Sequence, residues 1–294
     1  MATKVWVGTD SGNEGDYGTA ANWSPSGVPI AADDVIIANS SQSILTSLDQ
    51  SGVALASITI DQSFTGVIGT GASDFLQVAA STVIIGQRRG NTGTFTGSKR
   101  LNLDLGSGTA AQVEVYGTAS SSQDTNRTPL RIQAGNASTD IKVFGGSVSI
   151  SDDSDDTSTV GDIEVNGGTV TAGAGMTLTN VIMNGGSLTL QSSIAGTATI
   201  KGGTLNHYDS TSASTIATLT VSDSGNVNHY ASGTITTLNL NGGTVDLTRT
   251  QKSKTVTTLT ADTGGTLITD SGTVTLTNDV ALASSTKYTI SFRS

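Results

Sequence analysis

Val181-Ile182-Met183-Asn184-Gly185-Gly186-Ser187-Leu188-Thr189-Leu190 decides the reading of this chain. Apolar residues alternate on both sides of a glycine pair. That is the period-2 signal of two short strands, each with one buried face, joined by a sharp bend. Glycine reaches positive φ without steric penalty, and the preceding asparagine tolerates the same region. The pattern recurs. Turn pairs stand at Gly145-Gly146, Gly167-Gly168, Gly185-Gly186, Gly202-Gly203, Ser224-Gly225, Gly242-Gly243 and Gly264-Gly265. Similar strand pairs flank them, among them Ile163-Glu164-Val165 with Val170-Thr171-Ala172, and Leu238-Asn239-Leu240 with Val245-Asp246-Leu247.

The repeat averages about 20 residues, within the range for one coil of a solenoid, in which each coil buries its apolar face against the next. A meander of hairpins is the competing reading, because Asn-Gly is also a hairpin turn. The solenoid is preferred because the coils align residue by residue. The expected fold is all-β: a right-handed parallel β-helix, its hand taken from the general preference of parallel crossovers. The alignment predicts ladders. Leu205-Asn206-His207-Tyr208 and Val227-Asn228-His229-Tyr230 share an offset, so the two histidines should stack on adjacent coils. Glu114, Lys142 and Glu164 occupy matching outward positions before successive turns, and opposite charges in register favour that alignment over a shifted one.

Composition agrees. Hydrophobic residues are 35% of 294, with five Phe, five Tyr and two Trp, too few aromatics for a wide core but enough aliphatics for a narrow one. The formal net charge of −10 argues against nucleic acid as a partner. Cysteine is absent, which excludes disulfides and thiolate metal sites. No run approaches 18 apolar residues, so no membrane helix is expected. Met1 to Trp6 has no apolar signal core, and assembly in a cytoplasm is the expectation.

Three regions follow. Residues 1–45 hold both tryptophans and two of the three prolines, and are read as an N-terminal cap and docking region, with Trp6, Trp23 and Pro29 as its candidate contact residues. Residues 46–270 are read as coils, and 271–294, with Tyr288-Thr289-Ile290-Ser291-Phe292, as C-terminal cap strands or an oligomer contact. Open solenoid ends invite edge pairing, so caps are needed. Thr118–Thr128 and the acidic run Asp152–Asp156 read as loops, and Arg88, Arg89, Lys99 and Arg100 form the most basic spot.

The cap carries Trp6-Val7-Gly8, Gly15-Asp16-Tyr17, Ala21-Asn22-Trp23-Ser24, Gly27-Val28-Pro29 and Asp33-Asp34-Val35-Ile36-Ile37. This stretch resembles the opening of a loose group of β-helical surface proteins, which includes autotransporter-type passengers and virion proteins of tailed bacteriophages. The resemblance implies display on a particle or cell surface. The chain shows neither the signal peptide nor the C-terminal barrel of an autotransporter, which turns the expectation to a phage capsid decoration, head-fibre or tail-associated protein on the virion surface. Its expected partner is the major capsid protein or another virion protein, and the resemblance implies a homotrimer.

Candidate chemistry is sparse. His207 and His229, with Asn206, Asn228 or Asp209, would offer metal donors, but no third strong ligand sits at a matching offset, so a plain surface ladder is expected, with no metal and no cofactor. Tyr208 and Tyr230 extend that ladder and are the candidate face for a host glycan. Asp152–Asp156 offers oxygen ligands without EF-hand spacing and is read as a solvated loop. Glycoside hydrolysis needs two carboxylates at a set separation. Glu14, Glu114 and Glu164 are the only glutamates and suggest no pair. No nucleophile motif or phosphate loop is present. The chain is therefore read as a structural virion protein and not an enzyme. A glycan-binding adhesin and a tailspike-like polysaccharide depolymerase are the alternatives.

Overall fold

The computed structural model describes residues 2–71, 73–86, 97–124, 126–151, 157–209, 213–262, 264–270 and 272–278, and the strand backbone of 281–282 and 289–292. Arg88, Arg89, the run Asp152–Asp156 and Tyr288 lie outside the described residues. The chain divides into two compact units, Met1–Ser151 and Asp152–Ser294. Each is a parallel β-helix.

In the first unit the strands are β1 (Thr3–Trp6), β2 (Trp23–Ser24), β3 (Asp34–Ile37), β4 (Asp49–Ile60), β5 (Leu76–Ile85), β6 (Leu101–Asp104), β7 (Gln112–Val115), β8 (Leu130–Gln133), β9 (Asp140–Val143) and β10 (Ser147–Ile150). One ladder runs β1–β3–β4–β5–β7–β9, parallel throughout. A second runs from the first part of β5 through β6 and β8 to β10. Alternation puts every second residue inward. Val35, Ile58, Val83, Val113 and Ile141 form one inward column in consecutive register, all buried. Each such side chain contributes roughly 1.5–3 kcal/mol of burial. The antiparallel strand β2 covers the free edge of β1, pairing Trp6 with Trp23. Pro25 follows at once and offers no further N–H.

The second unit contains β11 (Thr159–Val165), β12 (Thr169–Ala172), β13 (Thr177–Met183), β14 (Ser187–Leu190), β15 (Ile194–Ile200), β16 (Thr204–His207), β17 (Ile216–His229), β18 (Gly233–Asp246), β19 (Lys254–Ala261), β20 (Thr266–Thr269), β21 (Val274–Leu276), β22 (Ala281–Leu282) and β23 (Thr289–Phe292). Its first ladder is β11–β13–β15–β17–β18–β19, with β21 and β22 parallel on β19. The second is β12–β14–β16–β17–β18–β20–β23. The hairpin alternative is thereby excluded for these coils. Thr169, Ser187, Thr204, Asn226, Thr244 and Thr266 stand in consecutive register. Each of them directly follows its turn pair, from Gly167-Gly168 to Gly264-Gly265, so the step from coil to coil equals the spacing of the turns. Inside, Val170, Leu188, Leu205, Val227, Val245 and Leu267 make one buried column.

The turns work as their glycines require. Gly168, Gly186 and Gly203 all have positive φ, and a Cβ on Gly203 would lie 2.4 Å from the Gly186 carbonyl of the coil beside it. Two turns differ from the sequence reading. At Ser224-Gly225 and Gly242-Gly243 the chain stays within the long strands β17 and β18, and the ladder absorbs the bend as a register shift between Asp223 and Asn226. Asp223 itself takes φ 52°.

Candidate functional site

The candidate contact residues of the cap are its core. Trp6, Trp23 and Tyr17 are at most 2% exposed, and Pro29 is buried with them. Trp23 packs edge-on against Trp6 and Tyr17, at centroid distances of 5.2 and 4.7 Å. Each indole is satisfied internally, Trp6 Nε1 donating to the Gln42 carbonyl and Trp23 Nε1 to that of Tyr17. This corrects the expectation that Trp6, Trp23 and Pro29 make the docking contacts. The end coil has an apolar column to close, and the large rings close it. Among the described residues of the cap the large exposed apolar side chain is Ile30, 66% accessible.

The predicted ladder forms, but half of it points inward. His207 and His229 pair in register, with ring centroids 5.0 Å apart, and both are 0% exposed. The expected surface ladder of histidines is thus corrected. Parity is the signal in the sequence: His207 stands two residues from inward Leu205, and His229 two from Val227. The histidines continue a column in which Ala172 and Leu190 precede them. His207 Nε2 lies 2.8 Å from the Ser192 carbonyl, and the two Nδ1 atoms are 3.0 Å apart. Burial pushes the basicity of both rings down.

Tyr208 and Tyr230 follow the histidines on the outward side and stack at 4.3 Å with planes 4° apart. One face of each ring is therefore covered by the other. Burial, then the neighbouring ring, raises the Tyr208 phenol. Beside them Asn228 Nδ2 donates to Asn206 Oδ1 at 2.9 Å. Asp209 accepts from the Ser232 amide and hydroxyl and from Lys252 Nζ at 2.6 Å. Burial pushes the Asp209 carboxyl up, but these bonds together outweigh it and hold it below the usual range.

A second aromatic stack escapes the sequence reading. Tyr116 and Phe144 lie 4.9 Å apart with planes 9° from parallel, and are 37% and 41% exposed. They directly follow the pairs Glu114–Lys142 and Val115–Val143, which are in register as expected. The shared offset before the two turns is the available signal. The Tyr116 hydroxyl donates to Glu114 Oε2 at 2.8 Å, and that bond holds its proton on.

Two carboxylates line one groove without forming a close pair. A groove of about 500 Å³ on the outward side of β3, β4 and β5 carries Asp34 and Asp61 around Ile36, Thr59 and Ile84. Asp34 is level with Ser57, whose hydroxyl it accepts at 2.6 Å. Asp61 is four residues further on, about 13 Å along the strand direction. A glycosidase pair needs a separation of about 5–9.5 Å. Among the described residues no group of three or more His, Cys, Asp or Glu side chains converges. Arg100, read as part of a basic spot, is buried, and its guanidinium bonds Asp124 and the Gly69 carbonyl.

Comparison with known protein families, with curated proteins and with solved structures finds no match.

Proposed function

We infer that the chain is a structural surface protein of a tailed-phage virion, one that decorates or stabilises the capsid or forms a fibre. The observation that carries this reading is the closed aromatic cap on a parallel β-helix, built by the same N-terminal residues whose pattern resembles phage virion proteins. Stacked backbone ladders give each unit rigidity without a large core. Outward threonines, serines and asparagines give it a hydrated surface of low charge. Docking on the major capsid protein or another virion protein would use the outer surface of the cap, where Ile30 stands, and not the buried indoles. A homotrimer belongs to the same reading.

The second reading is a glycan-binding adhesin. The Tyr208–Tyr230 edge, flanked by the Asn206–Asn228 amides and by Asp209, favours it: hydroxyl, amide and carboxylate groups side by side suit sugar hydroxyls.

Immunogold electron microscopy, with antibody to the purified chain, on phage particles and cells from the source culture tests the first reading. Label confined to capsids or tails is expected. Label on cell envelopes with bare virions would overturn it and promote the adhesin. Retention of the chain on immobilised host polysaccharide without release of reducing ends would mark an adhesin, and release of reducing ends a depolymerase.

A further inference from the structure

The buried pair His207–His229 continues an inward column begun by the aliphatic Ala172 and Leu190, so its polar atoms call for an explanation. The Ser192 carbonyl can only accept, so His207 Nε2 carries the hydrogen. His207 Nδ1 is then a lone pair, and the 3.0 Å contact requires that His229 Nδ1 donate to it. That assignment leaves His229 Nε2 bare, with no hydrogen-bond partner among the described residues. The neutral pair therefore has one self-consistent arrangement, and it holds the β16 coil to the second half of β17.

Acid has no good place to go. A first added proton leaves an N–H on His229 Nε2 with no acceptor and puts a cation inside the core. A second sets two N–H groups head to head across the 3.0 Å contact. The charged groups around the pair do not rescue it. Lys254, itself 2% exposed, gives its ammonium protons to the Thr250 carbonyl, the Thr250 hydroxyl and the Lys252 carbonyl, and opposes a second positive charge at His229. Asp209 attracts a proton toward both rings, but its oxygens are engaged by Ser232 and Lys252. Asp246 is held by Arg249 and Thr248, and Asp270 by Thr273. Tyr208 and Tyr230, next in sequence, face outward and stack on each other.

We propose that the His207–His229 pair is a proton-sensitive latch that keeps adjacent coils of the second unit closed at neutral pH and releases them in acid, carrying the Tyr208–Tyr230 edge with it. The sign follows from linkage. The folded pair resists protonation, so the open chain binds more protons, and closure is complete above about 6.5 and weakens as pH falls. Each histidine kept neutral raises the opening equilibrium about tenfold per unit below about 6.5.

The chain has two histidines, so imidazole NMR of the whole protein reads the site directly. The expected result is one ring protonated at Nε2 and the other at Nδ1, with neither titrating in the closed protein between pH 7.5 and 5.5. Hydrogen exchange of Thr204–His207 and Asn226–His229, corrected for intrinsic rates, should accelerate at least tenfold between those pH values, while Ser187–Leu190 changes little. In the double variant His207→Leu/His229→Leu, which continues the column of Leu190, that acceleration should vanish. Either ring titrating near 6.5 with the fold intact would overturn the proposal, whether or not the variant folds. So would equal acceleration in the variant.

Discussion

Asn184 Nδ2 donates to Asn166 Oδ1 at 2.8 Å, tying two turns that belong to successive repeats of the chain and are adjacent in the coil stack. Asn166 in turn donates to Glu164 Oε1 at 3.0 Å. The asparagine that precedes a glycine pair thus has a second task besides permitting the bend: its amide fixes which coil lies on which. A shift of one residue would break the bond and turn the inward residues outward. Asn184→Ala should lower stability by about 0.5–1.5 kcal/mol, the worth of one hydrogen bond, since its second contact, to Glu164 Oε1, is long at 3.5 Å, and Asn166→Ala by somewhat more because two short bonds end there. Denaturant midpoints of the two variants against the parent check this. No change in either would show that the ladder follows the register without helping to set it.

The turns themselves should be far less tolerant. Gly203 has φ +76°, and a Cβ there would meet the Gly186 carbonyl oxygen at 2.4 Å and the Gly185 carbonyl carbon at 2.6 Å. Both are backbone atoms and cannot swing aside. Gly264 has φ +82°, but a Cβ there meets nothing within 4 Å among the described residues. Gly264→Ala should therefore show the left-handed strain alone, about 1–2 kcal/mol. Gly203→Ala should exceed it by about a further 1 kcal/mol or more, on the order of an overpacked core site. Thermal melts of the two variants separate backbone conformation from coil-to-coil approach.

Tyr17 offers a test of the cap at high pH. Burial pushes its phenol well above the ordinary value, so the folded cap keeps it neutral. The unfolded chain ionises it at about 10. Stability from this group is thus complete below about 10 and is lost as pH rises beyond it. The only two tryptophans, Trp6 and Trp23, pack in the same cap, so indole emission reports on it without interference. The emission should shift to the red between pH 9 and 11 in the parent and much less in Tyr17→Phe, which keeps the ring. Equal shifts would place the alkaline sensitivity elsewhere.

The coil is legible because its cause is local. Glycine at a required bend and alternation on either side are written into each repeat, and the spacings of the turn pairs are the register offsets of the second unit without change. What is not legible depends on neighbours distant in sequence. The tryptophans look like contact residues as long as residues 1–45 are read as a docking region. Their burial follows from the need to close the first coil, which no single repeat records. His207 and His229 read as surface residues from their polarity, although their offset from Leu205 and Val227 places them inward. There the chemical prior overrides a geometric rule that is correct. Tyr116 and Phe144 escape for the opposite reason. Their coils are longer than those of the glycine-pair repeat, Glu114 pairing with Lys142, because loops such as the one around Thr118–Thr128 extend the first unit's coils.

A coil deletion tests the additive character of the second unit. Removing residues 185–201 joins Asn184 to Gly202. The span equals the step from β14 to β16, Ser187 to Thr204, so Gly202-Gly203 would take the place of Gly185-Gly186. Leu205 would then stand on Val170 and His207 on Ala172, while β17 would meet β13 with Leu219 on Val181. Every inward residue still faces inward. The loss is one layer of core, Leu188, Leu190, Ala198 and Ile200 among it, together with the Ser192 carbonyl that His207 uses. Since each coil contributes its own stability and an interface term, the shortened chain should keep its β-rich circular dichroism and melt cooperatively at a lower midpoint. Removing only residues 185–193 should not be tolerated, because it takes out a turn and a strand and leaves β15 where a glycine pair must bend. If both deletions fold equally well, coil register is not what holds the second unit together. If neither folds, its coils are more interdependent than nearest-neighbour stacking implies.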